Sequence, residues 1–148
     1  MIEFTVPGEP VGKGRPRLGK RIVFTPKKTA AYEKEVRAAY IQNYGTKRAF
    51  GDVEALAMEI TAYFAIPKSV SKARREAMLS GELLPTKKPD ADNIIKIIAD
   101  SLNPVKDKKT GILIFEGAYR DDAQLVFVVL KKLYSENPRV WVSIDLKG

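Results

Sequence analysis

The sequence predicts an α+β fold, a single domain over residues 1–148 in which a mixed β-sheet packs against helices. Apolar segments of strand length stand near both ends of the chain, and segments with helical periodicity stand between them. Hydrophobic residues make up 45% of the chain and charged residues 30%, an ordinary globular balance. The predicted element order is β-α-β-α-α-β-β, without internal repeats or linkers.

The first half of the chain is predicted to form two strands and two helices. Ile2, Phe4 and Val6 alternate with polar residues, which is typical of a half-buried strand, and Pro7-Gly8 ends it. A helix is predicted from Thr29 to Tyr44. The other elements are a strand over Val53–Ile66 and a short basic helix over Ser69–Leu79, which either Ser69 or Ser71 could cap.

The second half is predicted to form one helix and two strands, with one further short-strand candidate. The helix spans Ala91–Leu102, and Asn103–Thr110 after it is polar and turn-forming, which indicates a disordered excursion. The predicted strands are Leu125–Leu130 and Val140–Leu146, and the short candidate is Ile112–Phe115. The core-facing residues of the helix are Ile94, Ile95, Ile98 and Leu102.

The composition excludes several kinds of site. The chain has no histidine and no cysteine, so the usual zinc ligands, Ser-His and Cys-His dyads and disulfides are absent. Any hydrolysis must therefore use carboxylates, lysine, hydroxyls or a hard metal ion. We recognise no signal peptide and no apolar run of about 18 residues, so we expect a cytoplasmic protein without a membrane partner.

The positive charge is concentrated near the amino terminus. The net charge is +8, and residues 1–48 hold eleven Lys and Arg against four Glu, a balance of +7. Glycines and prolines interrupt the acid-free basic loop, residues 11–28, which favours contact with a nucleic acid over a merely solvated loop. An RNA-binding protein could show the same pattern. The predicted DNA-binding residues are Lys13, Arg15, Arg17, Lys20, Arg21, Lys27, Lys28, Lys87 and Lys88.

Two acidic clusters suggest metal chemistry. Asp90 and Asp92 stand where a helix should begin, and Asp121-Asp122 stand just before a predicted strand. Helix capping and an ordinary turn would explain each cluster taken singly. Magnesium is typically held by one or two carboxylates plus substrate phosphates, so the two clusters together favour metal-dependent phosphoryl chemistry.

Lys96 follows Asp92 by four residues and therefore lies on the same helical face. It is either a partner in an ordinary ion pair or a cation that stabilises charge developing on a phosphate. Asp100 continues this stripe and is expected to be solvated.

These clusters resemble the signature of the RusA family of Holliday-junction resolvases. That family has a D-x-D-N segment opening a helix, a lysine four residues after its second aspartate, and a later D-D-x-Q segment. The matching segments here are Asp90–Asn93, Lys96 and Asp121–Gln124. The amino-terminal G-K-G-R-P-R and T-P-K-K-T-x-x-Y-E segments resemble those of phage and prophage members.

The resemblance implies that Asp90, Asp92 and Asp122 are catalytic and bind Mg²⁺, with Mn²⁺ as a substitute, and that Lys96 is catalytic. Asp121 is the fallback for the third aspartate. The resemblance also implies a homodimer that resolves four-way junctions by paired nicks. Residues 103–117 are longer than expected before D-D-x-Q and indicate an insertion near the active site.

Two other functions remain open at this point. One is a magnesium nuclease with another branched or flapped substrate, and the other is a nucleic-acid-binding module without catalysis. The aspartates distinguish them, because a protein that only binds DNA has no need for acids that repel phosphates.

Overall fold

The computed structural model describes residues 1–14, 17–18, 23–24 and 27–148. Of the predicted DNA-binding residues, Arg15, Lys20 and Arg21 lie outside the described residues, as does the side chain of Arg17. In chain order the elements are β1 (Ile2–Pro7), β2 (Arg17–Leu18), β3 (Val23–Phe24), α1 (Lys27–Tyr44), β4 (Leu56–Ala65), α2 (Lys72–Ser80), α3 (Ala91–Ser101), β5 (Val105–Lys106), β6 (Leu113–Phe115), a 3-10 turn (Asp122–Gln124), β7 (Leu125–Ser135) and β8 (Arg139–Leu146).

The main sheet has four strands in the order β1-β8-β4-β7. β8 is antiparallel to both of its neighbours, whereas β4 and β7 are parallel. The predicted mixed sheet is therefore confirmed, and with it the α+β class. Parallel strands need a long crossover connection, and here that connection contains α2 and α3.

One face of the sheet carries the core. The even-numbered residues of β1 and β4 are buried together with Val140, Val142 and Ile144 of β8, as the two-residue period of a strand requires. α1 packs on β1 and on α3, and α3 also packs on β7. Of the predicted core residues of α3, Ile94, Ile98 and Leu102 are fully buried and Ile95 is partly buried. Ile97, which the prediction omitted, is also fully buried.

Strand β7 is longer than predicted. The expected end was Leu130, before two lysines, but the strand continues to Ser135. The lysines do not interrupt it, because the ladder to β4 uses backbone groups and Lys131 turns its side chain outward, where it is 60% exposed.

The segment after α3 is ordered, which corrects the expected disordered excursion. β5 and β6 pair as a small antiparallel hairpin. The turn between them is held by Asp107, whose carboxylate accepts hydrogen bonds from the backbone N–H groups of Lys109 and Thr110 at 2.8 and 3.0 Å. These hydrogen bonds lower the pKa of Asp107. No helix in the described part of the chain is both long and apolar enough to cross a membrane.

Candidate active site

One face of α3 carries three polar side chains in a row, Asp92, Lys96 and Asp100, and Asn103 follows just past the end of the helix. Asp92, Lys96 and Asp100 are four residues apart, the spacing at which helical side chains become neighbours. Opposite them on the helix, the isoleucines are buried in the core. The helix therefore presents a fixed polar stripe beside the sheet.

Asp90 and Asp92 lie at the amino-terminal end of this stripe. Asp90 has the extended backbone of an N-cap residue, yet its side chain makes no capping hydrogen bond. Instead its Oδ1 lies 3.5 Å from the Nζ of Lys88, and its side chain is 52% exposed. Asp92 occupies the first turn and is exposed as well. Helix capping thus does not explain the carboxylate of Asp90.

The loop before Asp90 is held by a lysine that sequence reasoning missed. Lys132 of β7 donates hydrogen bonds from its Nζ to the carbonyl oxygens of Lys87 and Pro89, at 2.6 and 3.0 Å. The same Nζ lies 5.1 Å from the centre of the Phe64 ring. The edge strand β7, through Lys132, therefore fixes the point at which α3 begins.

Asp122 is joined to the other end of the stripe through Asn103. The amide Nδ2 of Asn103 donates to Asp122 Oδ2, and the backbone N–H of Asp122 donates to Asn103 Oδ1, both at 3.0 Å. Burial raises the pKa of Asp122, and the neighbouring carboxylates of Asp100 and Asp121 raise it further, against the opposing hydrogen bond from Asn103. Asp122 is thus a partly buried carboxylate whose charged form is disfavoured by the acids beside it.

Asp121 is used differently. Its carboxylate accepts a hydrogen bond from the backbone N–H of Ala123 at 3.1 Å and closes a capping box with Gln124. The amide of Gln124 also donates to the carbonyl oxygens of Gly51 and Glu54, at 2.8 and 3.0 Å. These contacts explain Asp121 and Gln124 as structural residues of the 3-10 turn and leave Asp122 to face α3.

Asp100 is the acidic residue that sequence reasoning undervalued. Its side chain is 21% exposed rather than solvated, and its Oδ2 lies 3.2 Å from Lys13 Nζ and 3.4 Å from Lys96 Nζ. Among the described residues, the ion pair of Lys96 is with Asp100, four residues later, and not with Asp92. The four-residue spacing from Lys96 was the signal in the sequence that could have identified Asp100.

The donor chemistry at this end of α3 fits magnesium. Asp100 and Asp122 bring neighbouring carboxylates from two separate segments, and the chain offers only oxygen donors for a hard cation. No three acidic side chains within the described ranges are close enough to form a complete metal site. Magnesium does not need one, because it is usually bound by one or two carboxylates together with substrate phosphates and water.

The predicted ligands Asp90 and Asp92 lie at the amino-terminal end of α3, and Asp122 lies by its carboxyl-terminal end. Their assignment as one ligand set stays a prediction. Of the predicted DNA-binding residues, Lys27, Lys28, Lys87 and Lys88 are exposed, whereas Lys13 is engaged by two acids.

Comparison with known proteins supplies independent information. Residues 7–145 match the model of a protein family described as endodeoxyribonuclease RusA. The chain is also 38% identical over 149 residues to YqaN, an uncharacterized protein of Bacillus subtilis (strain 168), and the alignment covers 97% of this chain and 94% of that protein. The family match includes both acidic clusters, α3 and the whole basic loop, residues 11–28.

Proposed function

The chain belongs to the RusA family of endodeoxyribonucleases, and we propose that it is a magnesium-dependent nuclease that resolves Holliday junctions by paired symmetric nicks, in DNA recombination and repair. The observation that carries this proposal is the double hydrogen bond between Asn103 and Asp122. It joins the D-D-x-Q segment to the helix that bears Asp90, Asp92 and Lys96. A module that only binds DNA has no use for a partly buried carboxylate held beside Asp100, because both acids would repel phosphates.

From the family resemblance we propose Asp90, Asp92 and Asp122 as the catalytic aspartates that would bind Mg²⁺, with Mn²⁺ as a substitute, and Asp100 lies beside Asp122 as a further carboxylate. When bound, the ion neutralises the phosphate oxygens and activates the attacking water. Asn103 orients the carboxylate of Asp122 by donating to one of its oxygens. Lys132 orients Asp90 indirectly, because its hydrogen bonds fix the backbone of the loop that precedes Asp90.

We assign Lys96 to the stabilisation of negative charge on the phosphate as it develops. Its side chain is 62% exposed on the polar stripe, one helical turn from both Asp92 and Asp100. A phosphate seated among these carboxylates would therefore lie within reach of the ammonium group. A cation placed before the reaction begins stabilises the transition state without reorganisation.

The basic residues supply the affinity for the DNA backbone. Lys87 and Lys88 are exposed just before Asp90, and Lys27 and Lys28 are exposed where α1 begins. Contacts of this kind position a duplex without reading its sequence. We propose that the active form is a homodimer, because a two-fold enzyme can nick the two equivalent strands of a two-fold junction.

The proposal is tested by cleavage of a labelled four-way junction, a flapped duplex and a matched linear duplex. Each DNA is incubated with wild-type protein in Mg²⁺, in Ca²⁺ and in EDTA. We expect paired nicks in the junction with Mg²⁺ alone. Preferred cleavage of the flapped duplex would replace the junction as the substrate, and no cleavage of any DNA in Mg²⁺ or Mn²⁺ would overturn the nuclease proposal.

Asp122→Asn and Asp121→Asn are a matched pair for the same assay. Both remove one charge, but only the first removes the carboxylate that Asn103 presents to α3. We expect Asp122→Asn to bind the junction without cutting it. Asp121→Asn should cut within about threefold of the wild-type rate, because asparagine is as good an N-cap as aspartate. Equal cleavage by the two variants would contradict the assignment of Asp122.

A further inference from the structure

The segment Val11–Gly14, the first part of the basic loop, is anchored to α3 and α1. The backbone N–H of Lys13 donates to the carbonyl oxygen of Asn93 at 2.9 Å, and the N–H of Gly14 donates to Thr29 Oγ1 at 3.0 Å. Gly12 lies so close to α3 that an added Cβ would be 3.1 Å from the Cβ of Asn93. The glycine is needed for this close approach of two backbones.

The side chain of Lys13 lies between the two helices. Its Nζ is 3.0 Å from Glu33 Oε2 of α1 and 3.2 Å from Asp100 Oδ2 of α3. The three side chains are only 20%, 15% and 21% exposed. Burial acts to lower the pKa of Lys13, but the hydrogen bonds and charges of Glu33 and Asp100 outweigh it and raise the pKa.

This environment differs from that of a lysine that binds DNA. A phosphate that approached the Nζ of Lys13 would meet the two carboxylates already paired with it, and both would repel the phosphate. Removing one partner of a partly buried ion pair leaves the other charge uncompensated, so the arrangement resists opening. Lys13 therefore differs from Lys27 and Lys28, whose side chains are exposed.

The position of Asp100 relates this contact to the active site. Its carboxylate neighbours that of Asp122, and its Oδ2 is shared between Lys13 and Lys96. The positive charge of Lys13 thereby offsets the repulsion between Asp100 and Asp122. Its ion pair with Asp100 also limits the positions in which that carboxylate can pair with Lys96. The same residue also sets where the basic loop leaves the body of the protein.

We propose that Lys13 and Glu33 are positioning residues, which clamp the start of the basic loop to α3 and hold Asp100 in place beside Lys96 and Asp122. On this proposal Lys13 is not a phosphate contact. This inference rests on the proposed nuclease function for its effect on cleavage. Its effect on DNA binding does not depend on that function.

The test compares Lys13→Met and Lys13→Arg with wild-type protein on four-way junction DNA. The affinity is measured across a salt series, and the cleavage rate is measured at saturating DNA in a single turnover. For Lys13→Met we expect an unchanged slope of log affinity against log salt and a cleavage rate about tenfold lower. Lys13→Arg should restore much of the rate, because it keeps the charge between the two carboxylates.

Two variants serve as controls. Lys34→Met removes an exposed charge next to Glu33 on α1 and should leave both the slope and the cleavage rate near wild type. Lys28→Met removes an exposed lysine of the basic loop and should lower the magnitude of the slope by about 0.9. Lys34→Met gives the salt slope expected when no phosphate contact is lost, and Lys28→Met gives the slope expected when one is lost.

A fall of about 0.9 in the slope for Lys13→Met would overturn the proposal, because it would identify Lys13 as a phosphate contact. A cleavage rate of Lys13→Met within about twofold of wild type would also overturn the proposal.

If Lys13→Met does not fold, the test uses Glu33→Gln instead, because this variant keeps the lysine but weakens its ion pair with Glu33. The clamp predicts slower cleavage by Glu33→Gln, whereas a phosphate contact predicts unchanged or tighter binding and no loss of rate. A wild-type protein that binds junctions without cutting them would refute the nuclease proposal and leave the salt-slope comparison valid.

Discussion

Asp121 and Asp122 are chemically identical neighbours with different surroundings. The carboxylate of Asp121 satisfies the backbone of its own turn, whereas that of Asp122 is partly buried between Asn103 and other acids. A carboxylate held near like charges destabilises the folded protein unless a cation joins it. The unfavourable electrostatic energy of the Asp122 carboxylate therefore indicates a functional role and not a contribution to stability.

A prediction about metal binding follows from this difference. In EDTA, Asp122→Asn should have a melting temperature at least as high as that of wild type, because it removes repulsion with Asp100 while an asparagine can still bond to Asn103. Mg²⁺ at about ten times its dissociation constant should stabilise the wild type by about 1.4 kcal/mol. For a domain of this size, that stabilisation raises the melting temperature by about 3 to 6 °C.

The Mg²⁺-dependent shift should be absent in Asp122→Asn and retained in Asp121→Asn. Thermal melts of the three proteins with and without Mg²⁺ measure it, and no cleavage assay is needed. The same Mg²⁺ shift in all three proteins would mean that Asp122 does not bind the ion.

At the scale of elements, α3 shows what the sequence could and could not predict. Its bounds, to within one residue, and the burial of Ile94 and Ile98 followed from the spacing of isoleucines, because burial of one face is a local property of the pattern. The environment of Asp100 did not follow, since its partner Lys13 is distant in the chain. Likewise, β5 was missed because two residues carry too little pattern to indicate a strand.

The junction between β7 and the loop before α3 gives a second prediction. Lys132→Met should destabilise the protein by about 1 to 2 kcal/mol, because the two carbonyl oxygens that Lys132 binds would be left without a charged donor. Cleavage should also slow, since Asp90 directly follows this loop. Urea unfolding measures the first effect, and single-turnover cleavage measures the second.

Lys131→Met is the matched control for this prediction. Lys131 precedes Lys132 on the same strand, is 60% exposed, and lies 3.9 Å from Glu59 at the closest approach of their charged groups. Such an exposed pair contributes little, so the variant should stay within about 0.5 kcal/mol of wild type. If both variants are destabilised equally, the hydrogen bonds from Lys132 to the loop contribute nothing specific.

At the scale of the whole molecule, the fold brings separate basic segments to one end of α3. Gly12 of the basic loop lies against Pro89 and Asn93, close to the exposed Lys87 and Lys88. The sequence predicted both basic segments but not their adjacency, because composition does not encode contacts between residues so far apart in the chain. It also counted Lys13 with the DNA-binding residues, although the fold surrounds Lys13 with acids.

If this end of α3 is the DNA surface, two pairs of lysines should differ in their effect on binding. Lys87 and Lys88 are exposed beside Asp90, whereas Lys108 and Lys109 are exposed in the turn between β5 and β6. Replacing either pair with alanine removes the same charge, so a difference between the double variants reports position and not net charge.

Every phosphate that a lysine no longer neutralises lowers the magnitude of the log-log salt slope by about 0.9 on duplex arms. We therefore expect a fall of about 1.8 for the first pair and of less than about 0.5 for the second. Affinities for a four-way junction at several salt concentrations measure both falls. Equal falls for the two pairs would extend the DNA surface to the β5–β6 hairpin, and no fall for the first pair would remove Lys87 and Lys88 from it.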